Sequence, residues 1–122
     1  MKIVVVEDDA WFGAHFQRVL EAEKCIVSVV PNAEAAIDVI DNVHPDVIVL
    51  DMLLRGSTAL GLLHELQSHA DLAQIPVILV TTLADSVSGA SLRHYGVRAV
   101  LDKSTMHPDD VVHEIKKVTT YA

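Results

Sequence analysis

The stretch KIVVVEDDA, residues 2–10, sets a short run of β-branched apolar side chains directly before three consecutive carboxylates. A non-alternating run of Ile and Val is typical of a strand that is buried on both faces of a parallel sheet. Neighbouring carboxylates repel one another, so their position at the end of such a strand needs a reason. The stretch therefore predicts a central buried strand whose carboxyl end carries an acidic functional cluster.

Further runs of the same kind follow along the chain, and they alternate with segments of helical periodicity. The predicted strands cover residues 3–6, 26–30, 47–50, 77–80 and 97–101. Apolar residues recur at helical spacing over 12–20, 33–40, 59–66 and 111–118. Residues 85–94 form a weaker helical pattern, rich in serine and interrupted by Gly89. Five strands alternating with five helices predict an open α/β sheet with right-handed crossovers.

Length, charge and cysteine content restrict the class of protein. A chain of 122 residues fits one domain, which we expect to cover residues 1–122. The net charge of −8 disfavours direct binding of nucleic acid, because a phosphate backbone requires a basic face. No apolar run is long enough to span a membrane, and no signal peptide is recognisable. The lone Cys25, expected to be a small core residue, favours a reducing, cytoplasmic environment.

Polar residues stand at the points where the predicted strands end. In an open α/β sheet, ligands bind beyond the carboxyl ends of the strands. The residues found there are Glu7, Asp8 and Asp9 after the first strand, Asp51 after the third, Thr81 after the fourth and Lys103 after the fifth. Carboxylates suit Mg²⁺, and an aspartate can act as a nucleophile toward phosphorus. A lysine and a hydroxyl group can hold phosphoryl oxygens, so the pattern favours phosphoryl-transfer chemistry.

These residues resemble the receiver domain of bacterial response regulators, the two-component signalling family. The motifs VVVEDD, PDVIVLD, IPVILVTT and GVRAVLDK carry the resemblance, in the family's order and spacing, across residues 3–118. The resemblance implies a (βα)5 doubly wound, open parallel five-stranded sheet of strand order 2-1-3-4-5, which is flavodoxin-like. It also implies a protein that catalyses its own phosphorylation and dephosphorylation without being a conventional enzyme.

The resemblance implies a metal site and a phosphoacceptor at stated positions. Asp51 matches the phosphoacceptor and also a ligand of Mg²⁺, for which Mn²⁺ is an alternative. Asp8 matches the acid that binds the ion directly, and Glu7 matches the acid that acts through a metal-bound water. Leu53 matches the position that offers its main-chain carbonyl to the ion.

The resemblance also implies a switch and partners. Thr81 matches the hydroxyl that turns toward the phosphoryl group, and Lys103 matches the lysine that pairs with it. The phosphodonor would be a sensor histidine kinase or a phosphotransfer protein. The phosphorylated domain would contact an output domain, a target protein or a second copy through the surface formed by helix four, strand five and helix five.

Several positions depart from the family pattern. Val100 stands where the family usually has an aromatic residue, which leaves Tyr95 as a partial substitute. Ser104 replaces the usual proline after the lysine, and the loop after Asp51 has Arg55 and Ala59 where proline and glycine are usual. These departures keep one alternative open: a degenerate receiver that acts as a protein-interaction module without being phosphorylated.

Other interpretations of the motifs are weaker. A dinucleotide site requires a glycine-rich turn after the first strand, where this chain has acids. We expect Asp9 to be a solvated residue or the cap of the first helix rather than a metal ligand, and Trp11 and Phe12 to be residues of that helix. His64 and His69 lie about 140° apart around a helix, so they do not form a zinc site on one face.

Overall fold

The computed structural model describes residues 1–51, 59–82 and 92–120, which form a parallel sheet with helices on both faces. The strands are β1 (Lys2–Val6), β2 (Ile26–Val30), β3 (Val47–Asp51), β4 (Val77–Thr81) and β5 (Val97–Asp102). The described helices are α1 (Ala10–Ala22), α2 (Ala33–Val43), α3 (Ala59–Gln67) and α4 (Pro108–Thr120). Each predicted strand is present, with ends that differ by at most one residue from the apolar run.

The sheet has the strand order β2-β1-β3-β4-β5, and all neighbouring strands are parallel. This confirms the predicted order 2-1-3-4-5. The chain continues from β1 to one side and from β3 to the other, so the two strands flank the point where the winding reverses. A crevice forms at such a point beyond the carboxyl ends of the strands. Glu7 and Asp51 stand at the ends of these two strands.

The described residues form two core clusters, one on each face of the sheet. Val4 and Val6 belong to the cluster covered by α2 and α3, while Ile3 and Val5 belong to the cluster covered by α1 and α4. Successive side chains of a strand point to opposite faces. Because both faces are covered, the strand needs apolar residues at every position, which explains the non-alternating runs.

The helix ends follow local chemistry. Asp9 Oδ1 accepts hydrogen bonds from the backbone N–H groups of Trp11 (2.9 Å) and Phe12 (3.2 Å), so Asp9 is the predicted cap of α1. Asn32 caps α2 in the same way, through Ala35 N at 2.8 Å. The backbone before β5 turns at φ +82°, a conformation that favours the glycine found there, Gly96.

The predicted fourth helix, residues 85–94, lies mostly outside the described residues, so the predicted fifth helix is α4 here. Tyr95 precedes β5, and its hydroxyl lies 3.1 Å from His64 Nε2 on α3. The opposite end of β5 pairs Asp102 with Thr81. The idea that Tyr95 substitutes for the missing switch aromatic is therefore wrong, because β5 separates it from Thr81.

Cys25 is half-buried and packs against the cluster beneath α1 and α4, as expected of a small apolar side chain. Within the described ranges, no helix combines the length and apolar character that crossing a membrane requires.

Candidate functional site

The carboxyl ends of β1, β3, β4 and β5 bring the predicted polar residues together. Glu7 follows β1, and its backbone N–H donates to Val30 O at 2.9 Å, which continues the ladder between β1 and β2. Asp51 is the last residue of β3. The backbone N–H of Lys103 donates to Thr81 O at 3.0 Å, so the turn that carries the lysine is tied to the end of β4.

Lys103 bridges two acids from different strand ends. Its Nζ lies 3.0 Å from Asp51 Oδ2 and also contacts Glu7 Oε1. The side chains are buried, with exposed fractions of 9% for Lys103, 1% for Glu7 and 7% for Asp51. Buried charges are stable only when they are paired and hydrogen-bonded. Lys103 therefore links the ends of β1, β3 and β5 through ionic contacts. The linked group contains two carboxylates and one ammonium.

Burial and the neighbouring charges change the pKa values of the site. Burial, followed by a hydrogen bond with Asp51, raises the pKa of Glu7 to about 7, although Lys103 acts in the opposite direction. Burial lowers the pKa of Lys103, but its hydrogen bonds to Glu7 and Asp51 outweigh this and hold that pKa above its ordinary value. Lys103 therefore carries a charged ammonium at neutral pH, and a proton or a further cation would reduce the repulsion between the acids.

The acids can serve as ligands of a cation. Glu7, Asp8 and Asp51 each place a carboxylate oxygen within 4.8 Å of the others, with Glu7 and Asp51 buried and Asp8 half-buried. Hard oxygen donors of this kind suit Mg²⁺, which binds one or two carboxylates and keeps several waters. The donor set and the raised pKa of Glu7 both fit a divalent cation. The predicted carbonyl ligand, Leu53, lies outside the described residues.

A second group of metal-ligand types lies on the surface. Asp41, His44 and Asp71 are all exposed, and His44 Nε2 lies 3.1 Å from Asp71 Oδ2. The hydrogen bond with His44 holds the pKa of Asp71 below its ordinary value. His44 and Asp71 are hydrogen-bonded to each other and exposed to solvent. This group therefore lacks the buried, closely spaced carboxylates found around Asp51.

The proposed switch residues occupy the strands beside Asp51. Thr81 ends β4 and is fully buried. Val100 is in register with Leu79, and its side chain packs against the cluster beneath α2 and α3. A small aliphatic group therefore fills the place of the family's aromatic. Ala59 is a buried member of the same cluster, while Arg55 lies outside the described residues.

Side-chain hydrogen bonds order the turn around Lys103. Asp102 Oδ1 accepts hydrogen bonds from the backbone N–H of Ser104 (2.9 Å) and from its hydroxyl group (2.6 Å). These bonds hold the pKa of Asp102 below its ordinary value. No described peptide bond is cis, so the bond between Lys103 and Ser104 is trans. Ser104 thus fixes the turn by hydrogen bonding at the position where the family usually has proline.

One neighbour of the site was not predicted to belong to it. The ring centroid of Phe12 lies 4.3 Å from Lys103 Nζ. Trp11 meets Phe12 edge to face at 5.0 Å and stacks on His15 at 5.2 Å. In the sequence, Phe12 differs in no way from other apolar residues of the first helix. Its contact with Lys103 joins residues about ninety positions apart, and helical periodicity carries no signal for such a pair.

Comparisons with known proteins agree with the fold. The family model "Response regulator receiver domain" matches residues 3–116. The two-component response regulator PhoP of Pseudomonas aeruginosa is 35% identical over 81 residues, which cover 66% of this chain and 35% of that protein. The chain spans about a third of the length of the curated relatives it matches.

Solved structures extend the likeness to almost the whole chain. The BeF3-activated N-terminal receiver domain of Klebsiella pneumoniae RstA is 28% identical with a TM-score of 0.80, and the match covers 96% of this chain and 97% of that one. A CheY-like receiver domain protein from Methanospirillum hungatei is 22% identical with a TM-score of 0.84, over 98% and 94% of the two chains. With its strand order, its acidic crevice and the family match from residue 3 to 116, this chain belongs to the receiver domain family of two-component response regulators.

Proposed function

We propose that Asp51 accepts a phosphoryl group from a phosphohistidine of a sensor histidine kinase or a phosphotransfer protein. The observation that carries this proposal is the buried contact of Lys103 with Asp51. Glu7 and Asp8 lie beside this pair, in the crevice where the winding of the sheet reverses. It provides a nucleophile, a fixed cation and two further acids in one crevice. These are the groups that phosphoryl transfer requires from a protein.

The chain's own residues account for the transfer step. Asp51 Oδ attacks phosphorus in line with the bond to the donor imidazole. The new O–P bond forms as the P–N bond breaks, and the electron pair of that bond returns to the imidazole nitrogen, which takes up a proton. Lys103 Nζ donates to one phosphoryl oxygen, and the hydroxyl of Thr81 donates to another. The burial of Asp51 and Thr81 restricts water around the acyl phosphate.

The acids around Asp51 would hold Mg²⁺, or Mn²⁺ in its place. Asp8, Asp51 and the main-chain carbonyl of Leu53 are the proposed direct ligands, and Glu7 is the ligand that acts through a water molecule. When bound, the ion supplies positive charge that offsets the charge of the phosphoryl oxygens and of Asp51. The raised pKa of Glu7 supports this assignment, because its main cause is the burial of the carboxyl group, and a nearby cation would offset the cost of burying its charge.

Phosphorylation would then switch a protein-interaction surface made of residues 85–94, β5 and α4. Movement of Thr81 toward the phosphoryl group would favour one of two arrangements of this surface. β5 supports this role as a half-exposed edge strand. The partner is an output domain, a target protein or a second copy of the chain. An output domain fits relatives that are about three times as long.

Intact mass after incubation with acetyl phosphate and Mg²⁺ tests the proposal. We expect the wild-type chain to gain the mass of one phosphoryl group and Asp51→Asn to gain none. Asp71→Asn removes an exposed carboxylate and should leave the adduct intact. A wild-type chain that acquires no adduct would instead support the degenerate receiver, for which nothing in the described residues speaks specifically.

A further inference from the structure

Two carboxylates and one aromatic ring surround the Lys103 ammonium. One side meets Asp51 Oδ2 at 3.0 Å, and another meets Glu7 Oε1. The ring of Phe12 lies on a further side, with its centroid 4.3 Å from Nζ. Only 9% of the Lys103 side chain is exposed, so little water remains to compete. The face of an aromatic ring is negatively polarised and attracts a cation at this distance.

The position of Phe12 is set independently of Lys103. Its backbone N–H donates to the cap residue Asp9 at 3.2 Å, which fixes the first turn of α1. Its ring is partly buried against the cluster beneath α1 and α4, 6.1 Å from the ring of Phe16. Trp11 closes another side, edge to face at 5.0 Å. The ring is therefore a rigid surface against which a flexible side chain can be held.

We propose that Phe12 is a positioning residue that holds the Lys103 ammonium over Asp51 through a cation–π contact. The inference rests on the proposed function, because the lysine must be in place when a phosphoryl oxygen arrives. At that moment the ammonium exchanges a carboxylate contact for a phosphoryl oxygen, whereas its contact with the neutral ring stays the same. The ring thus keeps the lysine near Asp51 while its anionic partners change.

A purely apolar role for Phe12 makes different predictions. Packing depends on the volume of the side chain, whereas a cation–π contact depends on the charge distribution of the ring. Fluorination of the ring weakens the negative face with little change in size. Phe12 and Phe16 are the two phenylalanines of the chain, so 3,4,5-trifluorophenylalanine is introduced at position 12 alone by site-specific incorporation.

The first measurement is the NMR spectrum of Lys103 in the metal-free protein. Protons that lie over a ring face are shifted upfield, so we expect this shift for the terminal methylene of Lys103. Phe12→Leu should abolish it, whereas Leu20→Met, a volume-conserving substitution elsewhere in the cluster beneath α1 and α4, should leave it in place. The resonance is assigned by its loss in Lys103→Arg. A Lys103 methylene without an upfield shift, or with the same shift in Phe12→Leu, would overturn the inference.

The second measurement is the rate of phosphorylation by acetyl phosphate at saturating Mg²⁺. We expect trifluorination of Phe12 to slow it about two- to fivefold, the range that corresponds to a cation–π contact. The melting temperature of the fluorinated protein should stay close to that of wild type. This variant therefore still tests the role of the ring if Phe12→Leu does not fold. An unchanged rate on fluorination would show that the ring acts by volume alone.

The two proposals fail in distinguishable ways. Absence of any adduct on Asp51 would remove the proposed function but leave the upfield shift of Lys103 as evidence of the contact. A normal adduct, formed at the wild-type rate in the fluorinated variant, would remove only the positioning role of Phe12.

Discussion

Lys103 Nζ lies 3.0 Å from Asp51 Oδ2 and joins the end of β5 to the end of β3 across the width of β4. The same ammonium contacts Glu7, so one buried cation serves two buried carboxylates. The stability of the fold should therefore depend on the charges in the crevice. Little water is present to screen them, so the binding or loss of a proton or an ion there changes the electrostatic energy of the folded state.

Removal of the cation should be costly. Lys103→Ala leaves Glu7 and Asp51 buried without their partner, and breaking a buried pair in this way costs about 3–5 kcal/mol of unfolding free energy. The loss should be smaller at acid pH, where the acids are protonated. Urea denaturation of the metal-free protein at neutral pH and at acid pH measures the loss of unfolding free energy.

An exposed ion pair provides the matched control for that experiment. Lys116 contacts Glu23 at 2.9 Å, with the two side chains 67% and 40% exposed. Solvent screens such pairs, so Lys116→Ala should change stability little at either pH. Equal losses in the two variants would contradict the role given to the Lys103 bridge.

The raised pKa of Glu7 predicts a pH dependence of metal-free stability. Burial raises this pKa from 4.5 to about 7. A carboxyl group whose pKa is raised on folding stabilises the fold while it is protonated. Its contribution is complete below about 4.5 and is lost as the pH rises through about 7. Metal-free stability should therefore fall over this interval, by at most about 3 kcal/mol from this one group.

Glu7→Gln isolates that contribution, because the amide cannot ionise. The difference in unfolding free energy between wild type and the variant should drift in favour of the variant as the pH rises from about 5 to about 8. A difference that is constant across the interval would show that Glu7 is already ionised in the folded protein at pH 5.

Mg²⁺ should stabilise the folded chain by binding to its acidic crevice. Asp8→Asn should raise metal-free stability, because it removes one of the mutually repelling carboxylates, and should abolish the effect of the ion. Melting curves with millimolar Mg²⁺ and with chelator measure both effects. Identical wild-type curves in the two conditions would falsify the metal site.

Asp9 should behave differently from Asp8 although the two are adjacent. Its carboxylate is occupied with the backbone N–H groups of Trp11 and Phe12. Asp9→Ala should therefore cost about 1 kcal/mol of stability through loss of the cap. The affinity for Mg²⁺, measured by calorimetry, should stay close to that of wild type. A large loss of affinity would make Asp9 a ligand after all.

The order of the elements was predictable because burial on both faces leaves a strong local signal. Runs such as residues 47–50 contain only large apolar residues, and this marks a strand covered from both sides. The meeting of Glu7, Asp51 and Lys103 followed from topology, since parallel strands deliver their carboxyl ends to one edge. Asp9 was predictable as a cap from its position just before an apolar helical stripe.

Contacts between side chains from distant elements were less accessible. The pairing of Phe12 with Lys103 depends on how α1 lies against the end of β5, and periodicity within α1 says nothing of it. The error about Tyr95 has the same origin. Tyr95 is close to Val100 in the sequence, but it precedes β5, whereas Thr81 pairs with Asp102 at the opposite end of that strand.

The chain has a single tryptophan, Trp11, which is 64% exposed at the rim of the crevice. Its indole stacks on His15 and touches the ring that lies over Lys103. Intrinsic fluorescence should therefore report events at Asp51 without any label. The molecule therefore carries its own optical probe, placed one aromatic ring away from the buried lysine.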